Sequence, residues 1–124
     1  MCKGTISRNF TLTAGTFTET NTGNGTIYFV GGTTQTFTNT GTISNTINYV
    51  VTSPTVLQMA SASTLVTGTG SFTLAAGATL GITHASGITT TGTGATSGNI
   101  QVTGTRTYTA GANYIYNGTA NQTC

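Results

Sequence analysis

The sequence predicts an all-β chain: a right-handed parallel β-helix (β-solenoid) of about six coils with a period near 20 residues, running through a single domain, 1–124. Three observations predict it. Threonine fills about a quarter of the chain, and only 3% of residues are charged, against roughly 25% in ordinary globular proteins. Apolar residues alternate with threonine at period 2, and 18 glycines punctuate the alternation while proline occurs once. One line of sequence is written nearly twice, twenty residues apart.

Threonine, branched at Cβ, loses χ1 freedom in a helix and packs well on a pleated sheet, so the composition favours strands. Residues 15–30, laid over 35–50, match at Thr16, Phe17, Thr18, Thr20, Thr22, Thr26, Ile27 and Val30. Phe17, Ile27, Phe29, Phe37, Ile47 and Tyr49 then point one way, into a core, and the intervening threonines point out. A weaker echo at the same spacing sets Leu80 over Ile100, Ile82 over Val102 and Ile88 over Tyr108. Between 51 and 70 the register lapses, so "SPTVLQMASAS" reads as a coil with a lengthened loop and Pro54 as a corner. Glycines such as Gly15, Gly70, Gly77 and Gly104 read as corner residues with positive φ. A sandwich of short strands is the alternative, but it does not require identity at a fixed period.

Several function classes lack the residues they need. Lys3, Arg8 and Arg106 against Glu19 give a net charge of +2, too sparse for a nucleic-acid footprint. No apolar run approaches the roughly 18 to 20 residues of a membrane span, so no membrane insertion is expected. The opening "MCKGTISRNF" has no apolar secretory segment, so the chain is expected to be an internal piece of a secreted protein. One Glu and no Asp leave no carboxylate pair for glycoside hydrolysis and no acid to orient His84 in a triad. His84 in "GITHAS" reads as a solvated corner and Glu19 as a surface charge. The same shortage argues against a calcium site, and one His with two Cys argues against structural zinc. The expectation is therefore a non-enzyme with no catalytic residues, no cofactor and no metal.

The stretch "GSFTLAAGATLGITHASGITTTGTGATSGNIQVTGTRTYTAGANYIYNGTANQT", from Gly70 onward, resembles a segment that recurs in large secreted surface proteins of Bacteroidetes. "GATLGI" (77–82) and "GTRTYTAGANYIYNGTANQ" (104–122) carry the likeness most specifically. The resemblance implies a β-helical, adhesin-like protein exported by the type IX route, extracellular or at the cell surface. It carries over no catalytic residues.

Three candidate sites follow. Cys2 and Cys124 sit at opposite ends of the chain, roughly 25 to 30 Å apart over six coils. That exceeds the reach of an internal disulfide, so a bond would join copies end to end; two incidental thiols are the plainer reading. Thr16, Thr18 and Thr20 over Thr36, Thr38 and Thr40 would form a flat rank of hydroxyls and methyls, a possible ligand face resembling those of ice-binding solenoids. Tyr108, Tyr114 and Tyr116, beside Asn113 and Asn117, form a possible glycan platform, or else the last layer of the core. The expected role is a structural module, either the stalk of an adhesin or a subunit that stacks end to end. The alternative is a binding module for carbohydrate or ice. Expected partners are copies of itself or neighbouring repeats, and a glycan or other surface ligand.

Overall fold

A computed structural model describes residues 3–20 and 25–124. Among the described residues are twelve strands and no helix. They are β1 (Lys3–Ile6), β2 (Phe10–Leu12), β3 (Thr16–Thr18), β4 (Gly25–Phe29), β5 (Thr34–Asn39), β6 (Thr42–Ser44), β7 (Ile47–Val51), β8 (Val56–Met59), β9 (Phe72–Leu74), β10 (Thr79–Ile82), β11 (Arg106–Tyr108) and β12 (Asn113–Tyr116). One sheet stacks β1-β4-β7-β9-β11 and a second stacks β2-β5-β8-β10-β12. A third face holds the pair β3-β6 and an isolated bridge between Val66 and Ile100. Every pairing is parallel. This is a parallel β-solenoid, and its two larger sheets are five strands deep rather than the six expected.

The alternation is read correctly. Ile27, Phe29, Phe37, Ile47 and Tyr49 are all buried, and Phe17 is half-buried at the first rung. Stacking turns alternation into ladders, because each strand lies over its equivalent. One inward ladder runs Gly4, Ile27, Tyr49, Phe72, Arg106; the next runs Ile6, Phe29, Val51, Leu74, Tyr108. On the second sheet Gln35, Leu57, Leu80 and Tyr114 form a third. Aromatic rings knit the first coils together: Phe10 stacks on Phe37 at 4.7 Å, and Phe29 and Tyr49 meet Phe37 edge-on at 6.1 and 6.4 Å. Fully burying each such ring contributes about 1.5–3 kcal/mol.

The register differs from the expected one. Equivalent residues on the first sheet are 23, 22, 23 and 34 apart (Ile6 to Phe29 to Val51 to Leu74 to Tyr108). The "TFT" of 16–18 pairs with residues 42–44, and that of 36–38 belongs to another sheet. An even shift of 20 keeps inside and outside correct but places rungs wrongly. The lengthened loop also lies elsewhere. "SPTVLQMAS" is a regular coil with Pro54 at its corner and β8 pairing β5 and β10, whereas the 34-residue rung inserts its extra chain between β10 and β11. Leu80, Ile82 and Ile88 therefore do not stack on Ile100, Val102 and Tyr108.

Asparagines seal corners that the insertion would leave open. Asn99, 1% exposed, donates to Ser61 O and Thr64 O and accepts from the amides of Thr83 and His84. Beyond β12 the chain follows the preceding coil in the same direction: Asn117 N donates to Ile82 O at 3.0 Å and Thr123 N to Ala85 O at 2.8 Å, and Gln122 Nε2 donates to Ile82 O at 2.9 Å.

Burial holds the Tyr49 and Tyr108 phenols well above their ordinary range. Unfolding lets both ionise near pH 10, so their contribution to stability is whole below that pH and is lost as pH rises. The unfolding free energy, and with it the urea midpoint, should stay flat to about pH 9.5; the free energy should then fall by about 1.4 kcal/mol per pH unit for each fully buried phenol. Tyr49→Phe should shallow the fall. A midpoint unchanged to pH 11.5 would contradict this account.

Candidate functional site

The threonine rank does not form. Thr16 and Thr18 lie on the third face opposite Thr42 and Ser44, and Thr20 is exposed just beyond that strand. Thr36 and Thr38 lie on the second sheet, Thr38 over Thr11 and Thr36 over Gln58. Thr40 turns its hydroxyl to Thr13 O at 2.7 Å. Because the rungs repeat at 22–27 residues here rather than 20, the six threonines fall on different faces.

The three tyrosines do come together, as the last layer of the core. Tyr114 and Tyr116 occupy inward positions over Leu80 and Ile82, and Tyr108 lies over Leu74. Tyr108 packs between Phe72 and Tyr114, with ring centroids at 6.2 and 6.4 Å, and its hydroxyl donates to Thr89 O at 3.3 Å. Since no rung lies beyond them among the described residues, Tyr114 is 37% and Ile115 42% exposed. Asn117 exchanges two hydrogen bonds with Gln58, of 3.1 and 2.9 Å, across Gly81. Burial pushes the Tyr108 phenol up, while the Arg106 charge partly opposes it.

Arg106 is the largest surprise of the core. It is 6% exposed and takes the inward place beyond Phe72. Its Nε and Nη2 donate to Val102 O at 3.0 and 2.9 Å, and Nη1 donates to Thr89 O, Thr89 Oγ1 and Thr91 O at 3.3, 2.8 and 3.2 Å. Nη2 also reaches Gly92 O. A cage of carbonyls thus replaces the water a buried guanidinium loses. Desolvation still lowers its pKa, with the Tyr108 side chain acting the other way. The inward parity of "TRTYT", shared with Tyr108, is the signal that locates this side chain in the core.

Arg8 is the opposite case. It is exposed in an open cleft of about 580 Å³ lined by Ser7, Arg8, Asn9, Thr33 and Thr34. The cleft exists because the first rung cuts its corner. Ile6 and Phe10 are four residues apart, whereas their partners Phe29 and Phe37 are eight apart. The longer corner below is left uncovered, and the Asn9 side chain substitutes for missing backbone by accepting from Thr36 N at 2.9 Å.

The remaining candidates are placed as follows. His84 is half-buried rather than solvated, and its Nδ1 accepts from Ser86 N at 3.1 Å. Glu19 is half-buried at another corner, against Gly25. Cys124 is an exposed free thiol, and Cys2 lies outside the described residues. Among the described residues, no three His, Cys, Asp or Glu side chains group as metal ligands. No helix among them is long and apolar enough to cross a membrane. No family model, curated protein or solved structure matches the chain.

Proposed function

We propose that the chain is a non-enzymatic structural module of the extracellular or cell-surface space: a right-handed β-helical rod that serves as an adhesin stalk or stacks end to end as a fibre subunit. The observation that carries this reading is the state of the two ends. β1 and β2 end their sheets on one side and β11 and β12 on the other, each with a row of backbone donors and acceptors on its outer edge. Inward side chains at both ends are only partly covered: Ile6, Phe10, Leu12 and Phe17 at the first rung, Tyr108 and Tyr116 at the last. Such ends suit contact with further coils of the same kind, in neighbouring repeats or in another copy. Stacking by simple translation is head-to-tail, a contact that does not close and so propagates into a filament.

Low charge supports the same reading, since three cations and one carboxylate offer little repulsion between stacked coils. The resemblance of residues 70–123 to Bacteroidetes surface proteins supports a rod that works outside the cell. Electron microscopy with and without reductant tests it. Filaments of solenoid width are the expected result, and their shortening by reductant would assign Cys2 and Cys124 as links between copies. Isolated short rods at every concentration would overturn the fibre version and leave the stalk.

Exposure of Tyr114 favours one second reading, a carbohydrate-binding end. Glycan affinity lost in Tyr114→Ala, with the melting temperature kept, would support it. The dispersed threonines offer no comparable support to ice binding, and thermal hysteresis destroyed by Thr18→Tyr or Thr38→Tyr is the result that would revive it.

A further inference from the structure

We propose that the stepped corner of residues 7–9 and 33–34 binds a carboxylate-bearing saccharide, with Arg8 taking the carboxylate. The two arginines make the contrast. Arg106 spends its donors on a cage of backbone and threonine oxygens. Arg8 is exposed and has no hydrogen bond or ion pair to any described residue. Glu19, the one acidic side chain of the sequence, lines a different hollow with Gly4, Phe17, Gly25 and Ile27. A ligand for Arg8 must therefore bring its own anion, and a planar carboxylate matches the guanidinium fork.

The rest of the cleft selects the class. Around Arg8 stand the hydroxyls of Ser7, Thr33 and Thr34 and the amide of Asn9, and none of the described lining residues is wholly apolar. An acidic peptide or lipid headgroup would find little for its apolar parts to pack on, whereas a polyol finds donors and acceptors on both sides. The cleft, about 580 Å³, is open, and the five described residues that line it are all exposed. The floor is set before the ligand arrives, because Asn9 Oδ1 holds Thr36 N across two rungs and Thr34 begins β5. The proposal does not rest on the rod reading, since the cleft is built within a single copy.

Oligogalacturonate titrated into the whole chain, followed by amide chemical shifts and calorimetry, is the test. Saturable shifts should cluster at residues 7–9 and 33–36, weaken with salt, and be absent with the neutral maltooligosaccharide of equal length. Arg8→Gln should weaken binding about tenfold or more, the equivalent of about 1.4 kcal/mol. Arg8→Lys should keep part of it, and both melting temperatures should match the parent because Arg8 is exposed. Shifts elsewhere, equal binding of the neutral sugar, or affinity unchanged in Arg8→Gln would overturn the proposal. Inorganic sulfate binding as tightly as the saccharide would overturn its saccharide class.

Discussion

Gly70→Ala should be among the most damaging single changes in the chain, costing roughly 3 kcal/mol or more and lowering the melting temperature by about 10 °C or more. Gly70 lies over Ile47 by register, and its backbone is pressed against the rung above. A Cβ there would sit 1.9 Å from Ile47 O, 2.3 Å from Ile47 C and 2.9 Å from Asn48 N. These are backbone atoms of a neighbouring strand, so no rotamer change relieves the clash; the rungs must separate. Separation would weaken the bond from Gly104 N to Gly70 O, 3.0 Å long, and with it the docking of the last rung. Gly4→Ala is the matched control. It lies in β1, with nothing within 4 Å of its Cβ, and should shift stability by no more than about 0.5 kcal/mol. Thermal melts of the two variants side by side decide the matter, and equal melting temperatures would refute this reading of the coil spacing.

The fold class, the parallel stacking and the direction of the side chains were legible because they depend on parity, which survives an error of two residues. Ile27, Phe29, Phe37, Ile47 and Tyr49 are buried whether rungs repeat at 20 or 22. The rung length was not legible, because in a threonine-rich chain "TFT" matches itself on unrelated faces. A better signal was present in the second half. "AGA" at 76–78 and again at 110–112 gives the offset of 34, and the structure joins these corners through Gly77 N to Gly111 O at 2.9 Å. That offset puts the lengthened loop at residues 84–104 rather than in "SPTVLQMASAS". Glycine was half understood. Gly15 and Gly77 do take positive φ, but Gly70 and Gly104 serve close approach between rungs. The cleft at Arg8 depends on the difference between a four-residue and an eight-residue corner, which has no meaning until the rungs are aligned.

Arg106 eluded sequence reasoning for a different reason: charged residues are expected outside, and its inward parity carries less weight than its charge. The structure shows what the charge does there. Val102, Thr89, Thr91 and Gly92 all point oxygens at one guanidinium, so the inserted segment is folded around it. Arg106→Met keeps an apolar stem of similar length in the ladder beyond Phe72 but removes every donor, leaving several carbonyls without partners. The expected cost is about 3 kcal/mol or more, since each buried acceptor left unsatisfied costs about 1–3 kcal/mol. Lysine should not restore it, because one ammonium cannot span oxygens gathered by a planar fork. A melting temperature alone would not separate a latch from a packing residue; hydrogen exchange does. In Arg106→Met, amides of 88–104 should exchange at least tenfold faster while those of β4, β5, β7 and β8 keep their protection. Uniform acceleration along the whole chain would mean that Arg106 supports the stack as a core residue, and unchanged exchange at 88–104 would mean that the cage holds nothing in place.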